Sequence, residues 1–247
     1  MDPERSNRAN QDDPVEGEAL EIVTIATHDD EALLDEFHGG IYWNDFAEQQ
    51  EPVAIWKRAL WGGASPYDLT IRIAGRALRD RARREVLGGI VFERYRRSGC
   101  GLVTYMVIAP AARRQGLGRQ LQREAALAMF AAGAPAVFGE INDPRLAGEG
   151  VDEPIEHMWR RLERNQAWGA RVLDIRYVQP ALAPGLSRDH GLCLIALAGT
   201  EPLGLAMPGK VVREFVDELY TITEGTAPER DVLAAIPDDV RLFELAR

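Results

Sequence analysis

The segment Arg113-Arg114-Gln115-Gly116-Leu117-Gly118-Arg119 places three arginines and two glycines within seven residues, and Arg123 follows one helical turn later. Glycine lets a backbone approach a ligand closely, and arginine grips an anion. That combination suits a phosphate. The charges run against local preference, because the first turn of a helix favours acidic side chains. They also run against the whole chain, whose formal net charge is -10. An anionic ligand accounts for both; a solvated, Arg-rich helix start is the bland alternative.

Such a loop needs neighbours that hold it. Upstream, Leu102 to Ile108 is rich in β-branched and aromatic residues and predicts a strand. Downstream, Leu117, Leu121, Ala125, Ala128 and Ala132 form one apolar stripe of a helix that stops at Gly133. Strand, Gly-containing loop and helix N-terminus together form an anion site, since the first-turn N–H groups point outward unpaired. No Gly-Lys-Ser/Thr is present for a Walker loop, and the third glycine and later acid of a dinucleotide turn are missing.

Arg113-x-x-Gly116-x-Gly118, preceded by Ile108-Ala109-Pro110, resembles the pyrophosphate loop of the GCN5-related N-acetyltransferases (GNAT), over roughly residues 20 to 200. The resemblance implies an α/β fold with a mixed, mostly antiparallel central sheet flanked by helices. It implies acetyl-CoA or another acyl-CoA as co-substrate, no metal, and a small-molecule amine as acceptor. By the same resemblance, Arg113, Arg114, Gln115, Gly116, Leu117, Gly118 and Arg119 hold the pyrophosphate. The backbone of Met106, Val107 and Ile108 pairs with the pantetheine arm, in a slot opened where the strand Ala136 to Asn142 splays away; Asn142 is placed beside the cofactor. The two helices after the first strand wall the acceptor, which brings Tyr42, Trp43 and Asp45 toward substrate; that these aromatics belong to the core is the alternative.

The chain departs from the family twice. Arg164-Asn165 stands where many relatives carry an aromatic-Tyr pair before the glycine, here Gly169, and Leu102 stands where some carry a basic Glu. Acyl transfer still needs the amine deprotonated, the oxyanion stabilised and the thiolate protonated. Glu140 is the candidate base, Tyr177 the candidate acid and His157 its substitute; a Glu140 paired with arginine and a packed Tyr177 are the structural alternatives. Two functions remain: an acyl-CoA-dependent N-acetyltransferase, or a catalytically degenerate acyl-CoA-binding module. An oxygen acceptor stays open.

Residues 1–18 read as a disordered acidic tail, 19–224 as the acyltransferase domain and 225–247 as a C-terminal extension. Within the domain, helices are expected around Leu33 to Phe37, Pro52 to Trp61, Pro154 to Trp168 and Lys210 to Tyr220. Further strands are expected at Leu20 to Ala26, Tyr67 to Ala74, Val86 to Tyr95, Arg171 to Val178 and Leu192 to Ala198. The run 75–84 holds five arginines in ten residues and reads either as a solvated loop or as a contact for an acidic partner or second subunit; a homodimer is left open. The acidic balance argues against nucleic acid as a partner. It favours a cationic acceptor near Asp45 and Glu48. No stretch reaches membrane-spanning length, and the N-terminus lacks the form of a signal peptide. Cys100 and Cys193 lie in strand-like runs without metal spacing, which suits reduced thiols in a cytoplasmic protein.

Overall fold

The computed structural model describes residues 19–45, 51–147, 153–182 and 185–247. The expected tail at 1–18, Phe46, Glu48 and the middle of the acidic loop after Asp143 lie outside them. Strand β1 (Glu21–Thr24) leads into α1 (Glu31–Phe37), a π-helical turn (His38–Tyr42), α2 (Trp43–Asp45) and α3 (Val53–Trp61). Then come β2 (Tyr67–Arg76), β3 (Glu85–Tyr95), β4 (Gly101–Ile108), α4 (Leu117–Ala131), β5 (Val137–Asn142) and α5 (Ile155–Ala167). The chain closes with β6 (Arg171–Leu173), β7 (Leu192–Ala196), β8 (Ala206–Pro208), α6 (Gly209–Glu224), α7 (Arg230–Ala234) and β9 (Asp239–Phe243).

The strands form one mixed sheet in the order β1-β2-β3-β4-β5-β7-β6-β9-β8. Every neighbouring pair is antiparallel except β4 and β5. Side-chain alternation sorts the core into layers. Ile90, Phe92, Val137 and Ile141 point to the face covered by α4 and α5, where Leu117, Leu121, Ala125 and Leu162 meet them. Ile71, Ile73, Val91, Tyr105 and Val107 point the other way, under α1 and α3. Farther along that second face, Phe138, Leu194 and Leu242 pack beneath α6 through Val212, Phe215, Val216 and Leu219. β7 is buried at all five positions because helices cover it on both sides. Glu218 of α6 ties the layer to the β3–β4 turn, accepting the Arg97 and Ser98 N–H groups at 2.8 and 2.7 Å.

Three expectations are revised. The strand expected at 171–178 ends at Leu173, because the Asp174 N–H still reaches β9 but the Ile175 N–H folds back onto the Leu173 carbonyl in a tight turn. Segment 239–243, read as part of an extension, joins the sheet beside β6, with Val172 opposite Phe243 and Leu173 opposite Leu242. The Arg-rich connection is neither a free loop nor an open docking surface along its length. Leu78 is buried, Arg79 is ion-paired with the buried carboxylate of Asp30, and Arg84 and Arg76 reach Glu36 and Glu85 at 3.2 and 2.6 Å.

Candidate functional site

The parallel pair β4–β5 joins only at Gly101–Val137, Leu102–Phe138 and Val103–Gly139. Beyond that point the strands part. β4 runs on to Ile108 paired with β3, while Glu140, Ile141 and Asn142 pair with β7. The opening begins beside a β-bulge: Val91 faces Tyr105 and Phe92 faces Val103, so Thr104 is the extra residue on β4. A bulge bends its strand and sharpens the twist, which turns Tyr105 to Ile108 away from β5. Among the described residues no strand lies beside that edge. It presents unpaired backbone groups along an open sheet edge. Met106, Val107 and Ile108 are on this stretch.

The loop Pro110 to Gly116 caps the same opening. Arg114 sits at φ 65° and Gly116 at φ 84°, both left-handed. Gly116 is the N-cap of α4, where no side chain caps the helix, and nothing lies within 4 Å of the position its Cβ would take. The first N–H groups of α4 therefore face an open cradle. Gly118 is tighter, since a Cβ there would stand 3.3 Å from the Trp168 ring at the end of α5. Leu117 is buried as the helix's first core residue. Arg113 donates its Nε–H to the Ile108 carbonyl at 2.9 Å and pairs with the Asp45 carboxylate at 3.1 and 3.2 Å. The Gln115 amide donates to the Ala111 carbonyl at 2.9 Å. Arg114 and Arg119 are exposed.

The family model described as Acetyltransferase (GNAT) family matches residues 41–147, from the π-helical turn through β5 and the short turn after it. This segment, under half of the chain, is what is similar to the GNAT acetyltransferase family. The match contains the loop and the splay and leaves α5 to β9 outside. Among solved structures, the chain is similar to a GNAT-family protein of Bacteroides thetaiotaomicron at 17% identity and a TM-score of 0.48, covering 73% of this chain and 88% of that one. A Bacillus subtilis acetyltransferase in complex with CoA matches at 14% identity and 0.43, over 72% and 98%. The ribosomal-protein-S18-alanine N-acetyltransferase of Escherichia coli matches at 10% and 0.44, over 75% and 100%. No curated protein matches the sequence.

On the face of the sheet that carries α1–α3 and α6, the side chains able to move protons collect between the two helix layers. Glu140 is partly exposed; its carboxylate accepts the Tyr177 hydroxyl in a short hydrogen bond and the Gln179 amide at 2.9 Å. Burial pushes its pKa up, and the two donors pull it partly back. Tyr177 is buried, and burial followed by the charge of Glu140 drives its pKa well above the ordinary value. The structure thus joins the two expected proton carriers and holds Tyr177 protonated. It does not join His157 to them: His157 is exposed on α5, across the sheet.

Sequence reasoning missed Glu93. It stands on β3 directly opposite Leu102, the position where some relatives carry their base. Glu93 is 7% exposed, accepts the Tyr95 hydroxyl at 2.7 Å, and no cation pairs with it among the described residues. Burial pushes its pKa up to about 8, against the Tyr95 hydrogen bond and with added repulsion from Glu51 and Glu140. A glutamate preceded by Phe92 and followed by Arg94 reads as the outward residue of a half-exposed strand, so only the covering helices reveal it.

The remaining expected residues separate. Tyr42 is fully buried, accepting the Glu51 N–H at 2.9 Å and packed edge-on to Tyr105. Trp43 is 43% exposed on α2, beside the loop-facing Asp45. The Asn142 amide donates to Glu153 at 2.7 Å. Asn165 is buried between helices, accepting from Gln122 at 2.8 Å and donating to the Arg161 carbonyl at 2.9 Å. Cys100 and Cys193 are free, buried thiols whose pKa burial raises to about 11 and about 12. Among the described residues no helix is long and apolar enough to cross a membrane.

Proposed function

We propose that this protein transfers the acyl group of an acyl-CoA, acetyl-CoA first among them, to the amine of a small molecule. The observation that carries the reading is the parting of β4 from β5 directly beneath an uncapped helix N-terminus with an open cradle at Gly116. In that reading the pyrophosphate lies on the N–H groups of α4, and the pantetheine arm runs along the free edge of Met106 to Ile108. The amine nitrogen attacks the thioester carbonyl, a C–N bond forms, the C–S bond breaks, and the amine proton passes to the departing thiolate. A backbone N–H of the free edge faces the carbonyl oxygen and stabilises its developing charge.

Glu140 is the proposed proton acceptor, with its pKa moved toward the working range by burial. Tyr177 serves it as a positioning residue, since a phenol with so high a proton affinity is a poor acid. Arg113 bridges the loop and the acceptor wall through Asp45. That pairing neutralises the carboxylate expected to attract a cationic amine, so Asp45 selects substrate only once Arg113 turns to the cofactor.

A second reading, CoA binding without turnover, draws on Asn165: the place of the family's tyrosine acid is filled by an amide locked between two helices. Calorimetry with CoA, followed by thiol-release kinetics with acetyl-CoA and longer acyl-CoAs against a panel of amines, separates the readings. Binding with turnover is expected, and Glu140→Gln should lower the rate on the order of a hundredfold. Binding without release of thiol for any amine would establish the second reading, and absence of CoA binding would overturn both.

A further inference from the structure

Glu140 is the first residue of β5 past the last rung that joins it to β4, and two neutral donors hold its carboxylate there. Those donors, Tyr177 and Gln179, lie two residues apart on the segment that leaves β6. Gln179 is buried, and its backbone forms a rung with Asp189 through hydrogen bonds of 2.9 and 3.0 Å. The Asp189 carboxylate accepts the Gly191 N–H at 2.7 Å. The Gly191 carbonyl in turn accepts the N–H of Asp143, the residue that follows β5, at 2.8 Å. A closed frame therefore runs from the end of β5 through Gly191 and Asp189 to Gln179, and back to Glu140. The Gln179 amide is fixed at its backbone and delivered at its tip.

The kind of donor matters as much as its place. The chain sets an arginine against other carboxylates that it encloses: Arg79 against Asp30, Arg145 against Asp143 at 2.6 Å and Arg188 against Glu224 at 2.7 Å. Among the described residues no cation pairs with Glu140. An arginine there would hold the carboxylate ionised well below neutrality, and with no donor at all an enclosed carboxyl would keep its proton. A neutral amide lies between these limits, since it orients the carboxylate and leaves it able to take a proton. We propose that Gln179 is a positioning residue for acyl transfer, holding Glu140 at the parting of β4 and β5 ready for the amine proton, with Asp189 setting the charge beside it. The inference rests on the reading of Glu140 as the proton acceptor. The proton that leaves the amine as the C–N bond forms lodges on Glu140. It then neutralises the thiolate released from the C–S bond, and the carboxylate is regenerated. Gln179 and Asp189 act in opposite senses, because the amide favours the ionised carboxylate and the Asp189 charge opposes it. The other titratable groups facing this pair are Tyr177, with Tyr220 of α6 behind it, and Glu93 and Tyr95 of β3.

The test is the pH profile of thiol release from acetyl-CoA with an accepted amine, in wild type, Glu140→Gln, Gln179→Met and Asp189→Asn. Methionine keeps the length of glutamine without its donor, and asparagine keeps an oxygen for the Gly191 N–H. Glu140→Gln should remove the acidic limb of the profile. Gln179→Met should move that limb toward higher pH by about one unit or more, the equivalent of one hydrogen bond to a charged group. Asp189→Asn should move it toward lower pH. Calorimetric CoA affinity should stay that of wild type in both. A merely structural contact changes stability without moving the limb in opposite directions. If the limb vanishes in Glu140→Gln but stands still in either folded variant, the inference is overturned and the assignment of Glu140 stands. Should Gln179→Met lose its fold, Asp189→Asn decides alone: a downward shift supports the inference and its absence overturns it. If the limb survives Glu140→Gln, or wild type releases no thiol with any amine, the reading of Glu140 falls first, and the inference with it.

Discussion

Replacing Glu93 by glutamine removes a buried carboxyl while keeping its shape and an oxygen to accept the Tyr95 hydroxyl. In the folded protein this carboxyl holds its proton up to about pH 8, against an ordinary value of 4.5. Between those limits the unfolded chain is ionised at this position and the folded chain is not. A group whose folded pKa is raised contributes its stability at low pH and loses it as pH rises. Each pH unit in that interval is worth about 1.4 kcal/mol. The loss attributable to Glu93 therefore grows to about 3 kcal/mol at pH 7 and levels off near 5 kcal/mol above pH 8, figures good to their order of magnitude. Neighbouring Glu51 and Glu140 are present in both proteins, and their repulsion of an ionised Glu93 is part of what the variant removes. The assay is denaturant unfolding of wild type and Glu93→Gln at intervals from pH 5 to pH 9. The variant should be similar to wild type at pH 5 and gain on it steadily toward pH 8. Parallel stability curves across the range would refute the claim that Glu93 keeps its proton, and with it any share in moving protons near pH 8.

Three further outcomes follow from the contacts around the site. Tyr177→Phe strips Glu140 of one of its two donors and should cost about 1–3 kcal/mol of stability, read by urea unfolding at pH 7; an unchanged midpoint would mean that the hydroxyl is not holding the carboxylate. Gly118→Val introduces a branched side chain whose first atom already stands 3.3 Å from the Trp168 ring; CoA affinity should vanish and stability fall by roughly 1–3 kcal/mol, and undiminished calorimetric binding by the folded variant would remove this glycine from the cofactor site. Asp45→Ala breaks an ion pair whose side chains are 51% and 42% exposed, so thermal unfolding should shift by less than about 1 kcal/mol, and a larger loss would show the loop leaning on α2 for its fold.

The glycine-arginine loop before α4 was legible in the sequence because its geometry is local. A strand, a left-handed glycine and a helix start are dictated by neighbouring residues, and Arg113 to Arg119 carry all three in one run. The same holds for α4, β4 and β5, whose periodicities predicted their bounds within a residue or two, and for the apolar face of α6. Alternation along β5 puts Glu140 on the face of Phe138, away from Val137 and Ile141. What tertiary structure decided depends on residues far apart in the chain. The parting of β4 from β5 was expected only from the family resemblance and is written in no residue pattern of its own, since it is made by where backbone pairing stops and by one bulge at Thr104. Glu93 looked like a solvent-facing residue until α1–α3 and α6 closed over it from segments dozens of residues away, and that burial is what raises its pKa. Tyr177 met Glu140, 37 residues away in the chain, only because the chain turns out of β6 at Leu173. The arginines between β2 and β3 were an unassigned basic run until Asp30 and Glu36, about fifty residues upstream, came within reach of Arg79 and Arg84. Hydrogen-bonding type and period are properties of a segment; desolvation and charge pairing belong to the assembled layers, and they fix which of the candidate side chains can act.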